Sequence, residues 1–169
     1  MEYSIREVAK IIGSKSNLLR EDTITMLLTD SRTVSFPEQS LFFALRTKTN
    51  DGHKYIPELY KLRVRNFVVS EMPTSTDMYA DANFLLVKDP LRALQQLAAH
   101  HRKKFEIPVI GITGSNGKTI VKEFLYQLLH TEFNIVRSPR SFNSQLGVPL
   151  SVWQINPKHT LGIFEAGIS

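Results

Sequence analysis

The segment IPVIGITGSNGKTIVKE, residues 107–123, sets the tightest limit on what this chain can become. A short apolar run, VIGIT, reads as a buried-type strand. A loop of small polar residues follows, and then a helical pattern begins at once. A glycine loop between a strand and a helix aims several backbone N–H groups at one spot, beside the positive end of the helix dipole. That arrangement binds phosphate. Lys118 adds a mobile cation, and the Thr119 hydroxyl is placed to ligate Mg2+. The full G-x-x-x-x-G-K-[ST] pattern is not met, because Ile112 stands where its first glycine should be. What remains is a shortened loop, Gly114-Ser115-Asn116-Gly117-Lys118-Thr119. A plain strand-to-helix turn accounts for the glycines but not for Gly-Lys-Thr at the helix start. A phosphate cradle accounts for both.

Strand and helix patterns alternate around this loop. SIREVAKIIG predicts a helix capped by Ser4 and Glu7 and stopped by Gly13. TITMLLTDSR and SLFFAL read as strands, HKYIPELYKL as a helix with Pro57 near its start, and RNFVVS and NFLLVK as two more strands. In DPLRALQQLAAHHRKKF, Asp89 caps, Pro90 takes the first helical position, and Leu91, Leu94, Leu97 and Ala98 form one face. Beyond the loop, Ile120, Val121, Phe124, Leu125, Leu128 and Leu129 recur at helical spacing. FNIVRS is a strand, QLGVPLSVWQI a helix, and TLGIFEAG a third parallel strand. The expected class is α/β: a mixed lobe over residues 1–106, then a parallel-sheet nucleotide domain over 107–169.

Composition narrows the functional classes. The chain has 169 residues, 42% apolar and 22% charged, and no cysteine, so disulfides and thiolate metal sites are excluded. It contains no run of eighteen apolar residues and no basic-then-apolar leader, which fits a cytoplasmic protein without a membrane span. The formal charge of +5 is concentrated in residues 100–169, which carry eight Lys and Arg against four acids. That excess suits an anionic small molecule. No dense basic run with interleaved aromatics appears, so no nucleic-acid partner is expected. Glu165 closes the apolar run LGIFE at the carboxyl edge of the third strand, where ligands of open α/β sheets gather. A solvated strand-end carboxylate is the plain alternative. Pairing with Thr119 across the loop favours a shared Mg2+ site.

TGSNGKT, SPRSFNSQLGVPLS and FEAGIS, in that order, resemble the central ATPase domain of the Mur ligases, the ATP-dependent amide-forming enzymes of peptidoglycan synthesis. TDSR, SLFFAL and NDGHKYI resemble the UDP-sugar-binding domain of their later-acting members. The likeness spans essentially the whole chain, and that family uses the short loop. It implies that Thr113 and Gly114 to Thr119 hold ATP, with Lys118 on the β- and γ-phosphates and Thr119 and Glu165 on Mg2+. Lys118 and Glu165 would be the catalytic groups. It further implies that Ser31, Arg32, Asp51, Gly52 and His53 line the UDP end, with Asn143 and Ser144 near the UDP-linked substrate. For His53, a loop histidine bonding local backbone is the competing reading, and Asp30 reads as a structural tie.

Within the family, LFFALRTKTNDGHKYIPELY and VRSPRSFNSQLGVPLSVWQ are most similar to members that add D-alanyl-D-alanine to a UDP-N-acetylmuramoyl-tripeptide through an acyl phosphate, including the form fused to an alanine racemase. The resemblance implies an N-terminal fragment, inactive alone, whose D-alanyl-D-alanine site would lie in a C-terminal domain not in this sequence. An exposed apolar face or sheet edge is expected on the second half of the chain. The alternatives are a member that adds diaminopimelate or lysine, and a non-catalytic nucleotide- or UDP-sugar-binding module.

Overall fold

Ser4 starts the first helix with a complete capping box. Its hydroxyl accepts from Glu7 N–H at 3.2 Å, and its own N–H donates to the Glu7 carboxylate at 2.9 Å. The helix, α1 (Ile5–Ile11), buries Ile5 and Val8. It follows strand β1 (Tyr3–Ser4), which pairs antiparallel with β2 (Thr23–Ile24). The run expected as one strand from Thr23 is split at Thr25, whose N–H turns to the Gln39 carbonyl at 3.0 Å. From there β3 (Met26–Leu28) joins a different sheet.

That sheet is four-stranded and parallel, in the order β3, β4 (Ser40–Phe43), β5 (Asn66–Val69), β6 (Asn83–Leu86). Strands β4 and β5 are buried at every residue, which explains their unbroken apolar pattern. Two 3-10 turns, Ser31–Thr33 and Pro37–Gln39, connect β3 to β4. A third, Gly52–Tyr55, runs into α2 (Ile56–Lys61), which carries Pro57 in its first turn. Phe42, Leu59, Phe67, Tyr79 and Phe84 belong to the core here, with Phe67 and Phe84 stacked at 5.3 Å.

A buried amide pair lies at the start of the last two strands. Asn83 donates to the Asn66 carbonyl oxygen at 2.9 Å and accepts from Leu19 N–H at 2.8 Å, while Asn66 donates to Asp22 at 3.0 Å. Both asparagines are fully buried, and these bonds repay their desolvation. They tie the segment 19–22 to the sheet.

Helix α3 (Pro90–Lys103) is capped by Asp89, which accepts from Leu91 and Arg92 N–H. Ala93, Leu94, Leu97 and Ala98 are buried on it, with Leu91 half-buried. The computed structural model describes residues 1–15 and 18–167. It divides inside α3 into two compact units, 1–96 and 97–169, whereas the boundary expected from the strand and helix pattern lies at 106/107. Ile168 and Ser169, the end of the FEAGIS motif, lie outside the described residues. No helix among the described residues is long and apolar enough to cross a membrane.

The second unit contains β7 (Val109–Ile112), α4 (Lys118–Leu129), β8 (Ile135–Arg137), α5 (Gly147–Val152) and β9 (Leu161–Glu165). Its three strands are parallel, in the order β7-β9-β8. Phe105, Val136, Ile155 and Phe164 form its core. Two expectations change here. VIGIT is an edge strand, not a buried one, with Val109 38% exposed, whereas β9 occupies the centre and is buried throughout. The apolar stripe of α4 also faces outward: Ile120, Val121, Phe124 and Leu128 are exposed, and the helix's buried residue is Lys122. Thr119 and Lys122 lie three apart on one face and both reach Glu165. Satisfying those polar groups turns the stripe of Ile120, Phe124 and Leu128 away from the sheet. The exposed apolar surface expected on the second half of the chain therefore lies on β7 and α4.

Candidate functional site: a glycine loop and a buried carboxylate

The loop 113–117 leaves β7 and enters α4 through Gly117, which caps the helix with φ 79°, a left-handed conformation suited to glycine. The first intrahelical bond runs from Val121 N–H to the Gly117 carbonyl at 2.9 Å. The N–H groups of Lys118, Thr119 and Ile120 are therefore the helix's open donors. Lys118 Nζ donates to the Gly114 carbonyl at 2.6 Å, which holds the ammonium over the loop. Thr113, Ser115 and Asn116 are exposed along the same loop, and Gly114 is half-buried. Backbone donors, a cation and a helix dipole meet here, as a phosphate group requires.

Thr119 and Glu165, paired from the sequence, are brought together: the Thr119 hydroxyl donates to Glu165 Oε2 at 3.1 Å. Glu165 is fully buried at the end of β9. Its other oxygen, Oε1, lies 2.8 Å from the Lys122 ammonium, at ion-pair distance but off the alignment of a hydrogen bond. Lys122 went unnoticed in the sequence because it sits within an apolar stretch. The signal was its spacing, three residues after Thr119 and four after Lys118. Hydroxyl and carboxylate oxygens suit a hard cation such as Mg2+. The donor set and the open N–H groups fit a nucleotide–Mg2+ complex.

Asn143 and Ser144 precede α5. The Asn143 carbonyl accepts from Gly167 N–H at 2.6 Å, joining this segment to the residues just past Glu165. The Ser144 hydroxyl accepts from Gly147 N–H at 3.0 Å, just before α5. The loop before it is fixed at Ser138, whose hydroxyl accepts from Glu165 N–H at 3.1 Å.

The other candidate residues lie in the first unit. Asp30 caps the 3-10 turn 31–33 by accepting from Arg32 N–H and grips the Arg32 guanidinium at 2.6 to 3.2 Å. These bonds from Arg32 hold the Asp30 carboxyl down at about 2. The Arg32 side chain is 86% exposed, so its charge faces solvent while its direction is fixed. Ser31 lies beside it in the same turn.

Asp51, Gly52 and His53 form the entry to the next 3-10 turn. A Cβ on Gly52 would come within 2.7 Å of Leu45 N and 2.9 Å of the Ala44 backbone, so only glycine fits without a shift. Both ring nitrogens of His53 are engaged inside the protein. Nε2 accepts from Ser70 N–H at 3.1 Å, which leaves Nδ1 as the donor to Asp51 at 2.6 Å. The geometry is that of a histidine bonding local groups. The bond from His53 N–H, with His53 and Arg46 beside it, holds the Asp51 carboxyl well below the usual range. Asp51, His53 and Glu71 come close enough together to suggest a metal cluster. However, Arg46 bridges Asp51 and Glu71 at 2.7 and 2.6 Å and already supplies the countercharge.

Comparison with known proteins agrees with this layout. Residues 23–102 match the family model described as Mur ligase family, catalytic domain, and residues 112–169 match the Mur ligase middle domain. The UDP-N-acetylmuramoyl-tripeptide–D-alanyl-D-alanine ligase of Synechocystis is 36% identical over 90% of this chain, and that of Bacillus subtilis is 29% identical over 100% of this chain. The match covers 33% and 36% of those relatives, so the chain spans about a third of their length. Among solved structures, MurF from Acinetobacter baumannii superposes with a TM-score of 0.86 at 25% identity, covering 99% of this chain and 36% of that one. MurF ligase from Thermotoga maritima, solved in complex with ADP, superposes at 0.71 with 27% identity, covering 84% of this chain and 32% of that one. Two models of one family, matched in order along an α/β chain, carry the assignment. The chain belongs to the Mur ligase family.

Proposed function

We propose that this chain supplies the UDP-substrate-binding and ATP-binding parts of a cytoplasmic ligase that joins D-alanyl-D-alanine to a UDP-N-acetylmuramoyl-tripeptide through an acyl phosphate. The observation that carries the reading is the meeting of Thr119 and Glu165 at the end of the glycine loop. A protein that only gripped a nucleotide would not need a buried carboxylate there. The relatives' names supply the acceptor.

In this mechanism the N–H groups at the start of α4 and the Lys118 ammonium would bind the phosphates, and the Thr119 and Glu165 oxygens would hold Mg2+. Bound ATP–Mg2+ would supply the phosphoryl group that activates the peptide carboxylate. The chain's own contribution is position and charge, which dominate phosphoryl transfer. Arg32, oriented by Asp30, would bind the UDP diphosphate, with Ser31 and the Asp51–His53 turn shaping that end. Asn143 and Ser144 would face the UDP-linked substrate beside the strand end. The amine's binding residues would fall in the two thirds of the relatives' length without a counterpart in these 169 residues, so this chain by itself would not turn over.

Calorimetry with ADP, with and without Mg2+, tests the nucleotide half of the reading. Lys118→Ala removes a charge-assisted contact worth roughly 1.5–3 kcal/mol, about ten- to a hundredfold in affinity. Wild-type protein that binds no ADP, or binds it as well without Lys118, overturns the reading.

A further inference from the structure

The roles above leave out Lys122, a fully buried ammonium. A charge so placed persists only when paired and hydrogen-bonded. Its Nζ lies 2.8 Å from Glu165 Oε1, donates to the Ser138 carbonyl at 2.9 Å and to the Arg140 carbonyl, and approaches Glu123 at 3.4 Å. Arg140 adopts φ 49°, a left-handed conformation rare for a non-glycine residue, as its carbonyl meets this ammonium. The same carboxylate accepts the Thr119 hydroxyl on its other oxygen, Oε2.

We propose that Lys122 is the resident counter-cation of Glu165, a positioning residue that takes one carboxylate oxygen and leaves only Oε2 for a divalent ion. The inference rests on the nucleotide–Mg2+ reading above. Its consequence is electrostatic. An ion at Oε2 meets a carboxylate already neutralised from behind, and it feels the ammonium only a few ångströms away. The site therefore holds Mg2+ weakly alone and strongly only when phosphate oxygens complete the coordination. Lys122 also fastens the 138–140 turn, so the loop leading to Asn143 is tied to the same carboxylate.

The test uses the full chain as wild type, as Lys122→Met and as Lys122→Met with Glu165→Gln. Thermal unfolding is followed with Mg2+ alone, and ADP affinity is measured with and without Mg2+. Lys122→Met is expected to lower stability. Mg2+ without nucleotide should then raise its melting temperature by several degrees while leaving wild type nearly unmoved. The Mg2+ enhancement of ADP binding should grow by about tenfold or more, since the ion becomes the carboxylate's main countercharge. Both gains should vanish in the double variant, whose buried pair is neutral. If Lys122→Met does not fold, Lys122→Gln, which can still donate to the turn's carbonyls, carries the same comparison. A lysine variant with the wild-type response to Mg2+ overturns the proposal and leaves Lys122 purely structural. Wild-type protein whose ADP binding ignores Mg2+ overturns instead the metal reading on which the proposal rests.

Discussion

Thr119 and Glu165, 46 positions apart in the sequence, share a hydrogen bond of 3.1 Å. The hydroxyl opens a helix and the carboxylate closes the central strand of a three-stranded sheet. Neither alone marks a metal site. Together they place two hard oxygen donors beside the loop that would hold the phosphates.

Glu165→Gln keeps the size of the side chain and removes its charge. It also leaves the buried Lys122 ammonium without its carboxylate, so the melting temperature should fall and binding is measured at a temperature where the variant is folded. ADP affinity without Mg2+ should stay within about threefold of wild type, while the gain from added Mg2+ should fall by about tenfold or more, the size of one charge-assisted contact. Calorimetric titration at fixed ADP checks this. An unchanged gain would make the carboxylate structural only.

Arg32 is the exposed cation whose direction Asp30 fixes. Arg32→Ala should weaken binding of UDP-N-acetylmuramoyl-tripeptide by roughly ten- to a hundredfold. Lys10→Ala, which removes a basic residue from the last turn of α1, should leave it nearly unchanged. Equal effects of the two substitutions count against Arg32 as the diphosphate contact.

Gly52→Ala would force a methyl group against the Ala44 and Leu45 backbone. Overpacking of this kind costs about 1–3 kcal/mol, which a urea melt resolves as a lower midpoint with an unchanged slope. A variant as stable as wild type would show that the turn moves aside freely.

His101 is buried against Phe105 and Trp153, and its Nε2 donates to the Ile155 carbonyl at 2.9 Å. Burial pushes its pKa below the ordinary histidine value. The unfolded chain therefore takes up the proton first as the pH falls. The stability His101 contributes is whole above about pH 6.5 and is lost progressively as acidification proceeds below it. His159, also lowered by burial, acts in the same direction. Urea midpoints at pH 7.5 and 5.5 should differ less for His101→Gln than for wild type. Equal pH dependence would refute the assignment.

The loop, its Lys-Thr pair and the strand-end carboxylate were legible because each follows from backbone geometry and local chemistry. The strands of the first unit were legible from their apolar runs, although the break at Thr25 was hidden by a continuous pattern. The orientation of α4 was not legible. Its stripe of Ile120, Phe124 and Leu128 signalled a core-facing side, yet Lys122 and Thr119 decided the matter by reaching Glu165 from the opposite face. Helical periodicity reports which residues share a face, not which face wins when a buried ion pair competes. The two bonds of His53 to Asp51 and Ser70 were not legible either, because they depend on a fold that brings residue 70 back beside residue 53.

The amide pair Asn66–Asn83 has a consequence for how the chain reaches its fold. The segments NFVV and NFLL lie side by side in parallel, and after their first residue both are wholly apolar. Sliding one past the other by two positions would keep every side chain on its own face and still bury oily groups against oily groups, so hydrophobicity alone is a poor judge of alignment. Such a slip would strand two carboxamides among hydrocarbon, away from each other and from the segment 19–22. The asparagines thus work as a notch that lets only one alignment close, and their loss should appear as mispaired, slowly rearranging sheets as well as a lower melting point.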